Sequence, residues 1–273
     1  MSGQPSQAPR GSSFYAAMRI LPRPQRQAMY EIYGFCRAVD DIADDWQGPR
    51  EARRAALQAW RGDIEALYAG AEVERLSSLA ETIRAYSLPQ ADFAAIIAGM
   101  DMDVARDIRA PDRATFDLYC DRVACAVGRL STRVFGLERA PGEALAEHLG
   151  RALQMTNVLR DLDEDAAIGR LYLPRETLLA AGIATDDPAA ALADPAIEKA
   201  ALSLVVEARA EFARADEIMD RAPRAKVRAP RLMAAAYRAI LERLAKRGFA
   251  PPRERPSTPM IPVLLATLRS GFF

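Results

Sequence analysis

Two acidic clusters about 120 residues apart are the strongest candidates for a metal-binding site in this chain. Asp40 and Asp44 lie four residues apart in the first cluster, and Asp161 and Asp165 repeat that spacing in the second. On a helix, residues four apart fall within about 40° of each other and about 6 Å apart. Like charges at that distance repel, so a cation is needed if the clusters lie inside the fold. Mg²⁺ fits this need, because it takes oxygen ligands and commonly binds a few carboxylates together with phosphates.

Polar side chains extend both acid stripes. Gln154 and Asn157 precede the second pair at offsets of three and four, where their amides could bind a ligand or water. Arg37 and Arg160 stand beside the acids, where a guanidinium can offset repulsion and bind diphosphate oxygens. A solvated, charged helix face is the ordinary alternative, but the pattern favours one shared site between two facing helices. On the first of these helices the polar face comprises Tyr33, Arg37, Asp40, Asp41 and Asp44.

The composition excludes several other classes of protein. The 37 basic and 37 acidic residues cancel, so no net charge favours nucleic acid as a partner. His148 is the only histidine, which argues against a zinc site and against a histidine-dependent nucleophile. The three cysteines (Cys36, Cys120 and Cys125) have no CxxC spacing and predict reduced thiols in a cytoplasmic protein. Glycine-rich nucleotide-binding motifs do not occur, so no dinucleotide-binding fold is expected.

Helix-capping and helix-breaking residues recur along the chain and strand-like alternation is scarce, which predicts an all-α fold. Residues 1–11 are expected to form a flexible tail, and 12–273 a single helical domain around a central cavity. The segment 170–174 is expected to be a short connection between helices. The predicted helices cover 22–46, 50–69, 73–86, 90–108, 115–137, 141–166, 175–181, 195–221 and 229–247, after a short one that ends near Leu21.

An apolar run at 259–268 allows two interpretations. It is interrupted by proline and is too short to cross a bilayer, which takes about 20 apolar residues. We expect the run to dock on the body of the protein. Peripheral contact with the inner face of a membrane, which would suit an apolar substrate, is the alternative.

At these residues the chain resembles the squalene and phytoene synthase family, from Ser12 to about Leu244. The resemblance implies an all-helical isoprenoid-synthase bundle that uses Mg²⁺ and joins two identical prenyl diphosphates head to head. The motifs that carry it follow in the family's order and are Ser13-Phe14-Tyr15, Tyr33-xxx-Arg37-xx-Asp40-Asp41-xx-Asp44, Tyr119-Cys120-xx-Val123-Ala124-xx-Val127-Gly128, Gln154-xx-Asn157-xx-Arg160-Asp161-xxx-Asp165 and Arg170-Leu171-Tyr172-Leu173-Pro174.

Within the family, the sequences of these motifs are most similar to those of bacterial members that act in hopanoid synthesis. That similarity implies the condensation of two farnesyl diphosphates to presqualene diphosphate, with release of pyrophosphate and no need for NADPH. Phytoene synthesis and NADPH-dependent squalene synthesis are the alternative activities. A catalytically silent protein that binds prenyl diphosphates or assists assembly is the non-enzymatic alternative. Enzymes that form squalene downstream are candidate partners.

The resemblance also implies roles for single residues. Two or three Mg²⁺ ions are expected on Asp40, Asp44, Asn157, Asp161 and Asp165, where Lewis-acid chemistry would neutralise the departing pyrophosphate. The four aspartates and Tyr172 are the expected catalytic residues, and Asp41 either joins the metal shell or orients it. Substrate contacts are expected from Phe14, Tyr33, Arg37, Asp41, Tyr119, Gln154, Asn157, Arg160, Arg170 and Tyr237.

Aromatic side chains are expected to wall or cover an apolar cavity, where their faces can stabilise a carbocation. Phe14, Tyr33, Tyr119 and Tyr172 are the candidates, whereas for Tyr237 core packing is an equal alternative. The row Phe93, Ile96, Ile97 and Met100 is expected in the core. Asp103 ranks low as a site residue, and His148 is expected to be structural or exposed.

One departure from the family's pattern is Cys125, where glycine is expected. A thiol-bearing side chain there would narrow the pocket and put the preferred prenyl chain length in doubt. The favoured alternative is that Cys125 is a small core residue.

Overall fold

The computed structural model describes residues 17–45, 48–251 and 253. Within these ranges the chain is built from helices, which confirms the predicted fold class. The expected tail at 1–11, the candidate Phe14 and the apolar run at 259–268 lie outside the described residues. No helix in the described part of the chain is both long enough and apolar enough to span a bilayer.

The helices follow one another with short connections. In chain order they are α1 (Arg23–Ala43), α2 (Arg50–Tyr68), α3 (Ser77–Tyr86), α4 (Gln90–Ala105), α5 (Arg113–Cys120), α6 (Ala126–Val134), α7 (Arg139–Arg160), α8 (Leu162–Ala167), α9 (Arg175–Ala181), α10 (Pro188–Ala193), α11 (Ile197–Arg221) and α12 (Arg224–Arg247). A 3₁₀ turn at Glu74–Leu76 precedes α3, and a π-helical turn at Asp121–Cys125 joins α5 to α6.

Several predicted helices differ from the observed ones. The one predicted over 73–86 becomes α-helical only at Ser77, and α10 lies in a stretch where no helix was predicted. The helix predicted over 115–137 is divided by the π-helical turn, and the one over 141–166 is interrupted at Asp161. Asp161 has φ −102° and ψ 14°, so the chain bends there and α8 begins as a separate helix. The last helix begins at Arg224 and includes Pro230 in its interior. Turn geometry of this kind depends on packing and is not encoded in hydrophobic periodicity.

Helix α7 is the central element and packs against α6, α11, α12 and the π-helical turn. Two small residues allow these close approaches. A Cβ on Gly150 would lie 2.9 Å from the backbone of Cys125, and one on Gly128 would lie 3.0 Å from the Cβ of Ala146. Side chains at these positions would push the π-helical turn and α6 away from α7. The glycines therefore set the width of the space between these helices.

The core has two parts. One lies between α7, α11, α12 and the short helices α8 to α10, with Phe212 and Phe249 fully buried. The other lies between α1 to α4 and α6, where Phe35 packs edge-on against Phe93 with ring centroids 5.1 Å apart. The expected core row Phe93, Ile96, Ile97 and Met100 belongs to this second part, as predicted. His148 is structural, because its Nδ1 lies 2.6 Å from a Glu211 carboxylate oxygen.

The π-helical turn is anchored by Arg129. Its Nε donates to Asp92 Oδ1 on α4 at 2.6 Å, and its Nη1 donates to Asp121 Oδ1 at 2.6 Å. Burial raises the pKa of Asp92, while the hydrogen bond and charge of Arg129 oppose that shift. The arginine thus compensates a buried carboxylate and ties the turn to α4.

We expect Arg129→Met to lower the free energy of unfolding by about 3 kcal/mol, because Asp92 would remain buried without its counter-ion. Urea denaturation at neutral pH measures the change. The double variant Arg129→Met/Asp92→Leu serves as the control and should recover much of the loss, since it removes both charges. A loss below about 1 kcal/mol in the single variant would contradict this account.

Candidate active site

An aspartate and two tyrosines form a buried cluster where α4, α5 and the connection after α8 meet. The Tyr172 hydroxyl donates to Asp103 Oδ1 at 2.6 Å, and the Tyr119 hydroxyl donates to Asp103 Oδ2 at 3.1 Å. The two rings stack with centroids 4.9 Å apart and 23° between their planes. Burial raises the pKa of both hydroxyls, so each remains a hydrogen-bond donor at neutral pH. The carboxylate of Asp103 therefore fixes the orientation of both rings.

Arg170 lies between the two acid stripes. Its side chain is buried, its Nη1 is 3.9 Å from Asp44 Oδ1, and its Nη2 is 3.5 Å from the Asp103 carbonyl oxygen. The charge of Arg170 lowers the pKa of both Asp103 and Asp165 against the effect of burial. One guanidinium thus acts on carboxylates of α1, α4 and α8.

Short backbone pairing holds this arginine and Tyr172 in place. The Leu171 amide donates to the Ile108 carbonyl at 2.8 Å, and the Ala110 amide donates to the Leu171 carbonyl at 2.8 Å. An isolated parallel bridge between Arg109 and Leu171 results. The connection predicted at 170–174 is therefore an ordered segment, and Arg170 and Tyr172, which precede and follow Leu171 in the sequence, both contact Asp103.

The structure brings carboxylates of both stripes within electrostatic reach of Asp103. Burial, then the neighbouring Asp44, raise the pKa of Asp40 to about 6, and Asp103 adds to the shift. Burial, then Asp161, raise the pKa of Asp165 to about 7, again with a contribution from Asp103. Both shifts arise first from burial and then from the nearest carboxylate, so ionised carboxylates are penalised in this region. The region is suited to bind a cation.

Each stripe also carries an arginine of its own. On α1, Arg37 pairs with Asp40 at 3.2 Å and with Asp41 at 2.7 Å. At the end of α7, Arg160 binds both carboxylate oxygens of Asp161, with Nε at 2.8 Å and Nη2 at 2.5 Å. The expected compensation of repulsion by these arginines is therefore present in the geometry. Asp41 is half exposed in this pair, and its charge is one of the smaller contributions to the raised pKa of Asp40.

The donor set fits Mg²⁺ in part. Among the residues that the structure describes, no group of three or more His, Cys, Asp or Glu is close enough to hold a metal ion by itself. The amide of Asn157 supplies a further oxygen: its Nδ2 donates to Gln154 Oε1 at 3.3 Å, while its buried Oδ1 receives no hydrogen bond from the described residues. Such an acceptor needs a cation, water or ligand donor. A metal shell here would be completed by phosphate oxygens, which is typical of Mg²⁺.

An apolar cavity of about 170 Å³ lies next to this polar region, between the π-helical turn, α6, α7 and α12. Gln154, Asn157 and Tyr237 line it together with apolar side chains. The hydroxyl of Tyr237 forms a hydrogen bond with Arg160, so Tyr237 joins the cavity to the second acid stripe. The apolar lining includes Val123, Ala124, Val127, Phe135, Leu145, Leu149, Leu153 and Met233.

One expectation about this region needs correction and one is confirmed. Asp103 ranked low as a site residue, yet it lies at the centre of the cluster, and the signal that could have found it is its place one turn after Met100 on the buried face of α4. For Cys125 the favoured interpretation is confirmed, because the residue is fully buried and does not line the cavity. Its Sγ donates to the Glu147 carbonyl at 3.4 Å, and its backbone packs against Gly150. Cys125 is the small core residue of the alternative interpretation.

The remaining aromatic candidates are Tyr33, Tyr119 and Phe14. Tyr33 is partly buried on α1 beside Arg37, and burial raises the pKa of its hydroxyl. Tyr119 was expected in the cavity wall but belongs to the Asp103 cluster. Phe14 lies outside the described residues, so its expected substrate contact stays a prediction.

The all-α bundle that the resemblance implied is present, and it places two acid stripes and a buried arginine beside an apolar cavity. The family model for squalene/phytoene synthases matches residues 8–261. The chain belongs to the squalene/phytoene synthase family, which confirms the predicted family.

Individual relatives are similar in sequence to this chain over most of its length. A presqualene diphosphate synthase from Rhodopseudomonas palustris is 60% identical over 243 residues, which cover 89% of this chain and 87% of that protein. One from Zymomonas mobilis is 52% identical over 260 residues, covering 95% and 89%. The crystal structure of squalene synthase HpnC from Alicyclobacillus acidocaldarius is 30% identical, with a TM-score of 0.78 over 87% of this chain and 89% of that one.

We expect Asp165→Asn to raise the free energy of unfolding by about 2 kcal/mol at pH 8 in the presence of EDTA. At that pH the carboxylate is ionised and penalised in the folded state, whereas the amide is not. As pH falls through about 7, the folded wild-type protein takes up a proton and regains this stability. Below about pH 4 the unfolded state is protonated as well, so the difference between the two proteins should vanish.

Urea denaturation at pH 8, 6 and 4 measures this pH dependence. Asp220→Asn is the control, because Asp220 is an exposed carboxylate paired with Arg231 on the surface and should show little change at any of these pH values. An Asp165→Asn protein that is less stable than wild type at pH 8 would contradict the assigned charge environment.

Proposed function

We propose that this chain condenses two farnesyl diphosphates head to head to presqualene diphosphate and releases pyrophosphate. The single observation that carries the proposal is that carboxylates from α1 and α8 meet around Arg170 beside an apolar cavity. This arrangement suits a substrate with a charged diphosphate and a long apolar chain. The family, together with the activity named for both bacterial relatives, confirms the predicted class of prenyltransferase.

The polar half of the site would bind the diphosphates. Two or three Mg²⁺ ions would be held by Asp40, Asp44, Asn157, Asp161 and Asp165, and when bound they supply the Lewis acid that neutralises the leaving pyrophosphate. The unpartnered buried Oδ1 of Asn157 supports its place in this set. Substrate phosphates would also accept hydrogen bonds from the arginines that now pair with the stripes, Arg37, Arg160 and Arg170.

The apolar half would hold the prenyl chains and exclude water. Loss of pyrophosphate from the first farnesyl diphosphate leaves an allylic cation, which the nearest double bond of the second molecule attacks. Loss of one proton then closes the cyclopropane ring of the product. The cavity lining protects the cation from water. The stacked faces of Tyr119 and Tyr172, held by Asp103, would lie at the junction of both halves, where aromatic faces stabilise positive charge.

The remaining parts of the proposal concern the domain organisation, the cellular location and the partners of this protein. Residues 12–273 would form one catalytic domain after a tail at 1–11, and the family match over 8–261 supports a single unit. A cytoplasmic location is supported by the free thiols of Cys36, Cys120 and Cys125. Peripheral contact with the inner membrane face would ease the transfer of such apolar molecules. An enzyme that converts the cyclopropyl diphosphate to a hydrocarbon would be the downstream partner.

We expect the purified protein, incubated with farnesyl diphosphate and Mg²⁺, to accumulate presqualene diphosphate whether or not NADPH is present. Extraction and mass spectrometry of the products, with a parallel assay of pyrophosphate, measure the outcome. Formation of squalene with NADPH would indicate the reductive alternative. Conversion of geranylgeranyl diphosphate alone would indicate phytoene synthesis, and no turnover of either substrate would favour the silent binding protein.

We expect Asp161→Ala to lower kcat at least about 100-fold while the protein remains folded, because a metal ligand is lost but a repulsive charge is also removed. Steady-state kinetics and thermal unfolding of the same preparations measure both effects. Asp220→Ala is the matched control, since it removes a surface carboxylate from α11. Turnover of Asp161→Ala close to that of wild type would refute the assigned role.

A further inference from the structure

Arg253 forms an extensive set of contacts just beyond the end of α12. Its side chain is 6% exposed, and its Nε lies 3.0 and 2.9 Å from the two carboxylate oxygens of Asp163. Its Nη2 donates to Asp163 Oδ1 at 2.7 Å. Its Nη1 donates to the carbonyl oxygens of Leu192 at 3.2 Å and Phe249 at 2.8 Å. The C-terminal part of the chain is thereby joined to α8 and to α10.

The carboxylate that Arg253 holds lies on α8 itself. Asp163 precedes Asp165 by two residues, which is about 200° around a helix, so the two side chains leave α8 on opposite faces. The structure agrees: Asp163 is half exposed beside Arg253, whereas Asp165 lies within electrostatic reach of Asp103 and Arg170. Arg253 therefore binds the outer face of α8, and the inner face of the same helix carries Asp165.

Helix α8 needs such support. It has only six residues and follows a bend in the chain at Asp161. Helices of this length are not stable alone, because nucleation costs more than a few hydrogen bonds return. A charge-assisted, two-pronged contact from an arginine to its first turn restricts rotation of the helix.

We propose that Arg253 is a positioning residue that, by clamping Asp163, fixes the orientation in which Asp165 of the second stripe meets the diphosphate and its Mg²⁺. The inference rests on the proposed function of this carboxylate. Arg253 touches neither substrate nor metal in this scheme. Its effect is transmitted through the rotation of α8, in the way that outer-shell partners orient metal ligands.

The rival explanation is that Arg253 only anchors the C-terminal segment through Leu192 and Phe249. Asp163→Asn separates the two explanations, because it is isosteric and leaves both carbonyl contacts of Arg253 in place. Arg253→Gln removes all the contacts together. Glu164→Gln is the matched control for charge, because it deletes one carboxylate from the same turn of α8 but not the one that Arg253 binds.

The experiment titrates Mg²⁺ at fixed inorganic pyrophosphate and follows the rise in the thermal unfolding midpoint of the full chain. We expect Asp163→Asn and Arg253→Gln each to raise the Mg²⁺ concentration for half the maximal shift about 10-fold. The half-maximal Mg²⁺ concentration of the double variant should be no higher than that of the more affected single variant, because both substitutions break the same contact. Glu164→Gln should change this concentration less than about threefold, because an exposed charge is screened.

A half-maximal Mg²⁺ concentration that is unchanged in Asp163→Asn but raised in Arg253→Gln would overturn the proposal and favour the C-terminal anchor. Equal shifts in Asp163→Asn and Glu164→Gln would also overturn it, because loss of charge alone would then explain the result. This binding readout is independent of product formation. A wild-type protein that binds Mg²⁺ and pyrophosphate but makes no presqualene diphosphate would refute the proposed function and leave the clamp testable.

Discussion

Concentrated negative charge in a partly buried place is the constraint around which this molecule is organised. Burial, and then the repulsion between neighbouring carboxylates, raises the pKa values of Asp40 and Asp165. Arg170, at 4% exposure, lies among them and neutralises only part of the charge. The ionised carboxylates therefore lower the stability of the folded protein, and a bound cation would offset this loss. A stable fold alone would not require this arrangement.

Contacts elsewhere in the structure hold the elements that carry these carboxylates in place. Glycines on α6 and α7 let neighbouring helices approach closely, and Arg129 ties the π-helical turn to α4. The bridge between Arg109 and Leu171 presents Arg170 and Tyr172 from an ordered segment. Because carboxylates that repel one another would otherwise separate, these contacts are what keep them at one place. The same contacts shape the apolar cavity beside them.

The polar and apolar halves of the site meet on one helix. Along α7, Leu149 and Leu153 face the cavity, Gln154 and Asn157 follow them along its edge, and the acid stripe begins where the helix ends. A substrate with an apolar chain and a charged head could thus be bound along a single helical face. This continuity explains why one long helix lies at the centre of the bundle and carries so many of the family's motif residues.

Much of this was readable from the sequence because it depends on local spacing. Helical periodicity placed Asp40 with Asp44 on one face, and the order of motifs indicated the family and the all-α fold. The importance of Asp103 was not readable, because its partners Tyr119 and Tyr172 lie 16 and 69 residues away and meet it only through packing. The bend at Asp161 was missed for a related reason, since a continuous pattern of polar residues does not reveal where a helix is interrupted.

The chain by itself therefore determined which residue types recur at helical spacing, and hence the two acid stripes and the class of chemistry they suit. Only the tertiary structure decided which groups meet: Asp103 with its tyrosines, Arg170 with Asp44, and Arg253 with Asp163 across 90 positions. The physical reason is that spacing along one helix follows from backbone geometry. Contacts between helices depend instead on how side chains of different sizes fill the space between them.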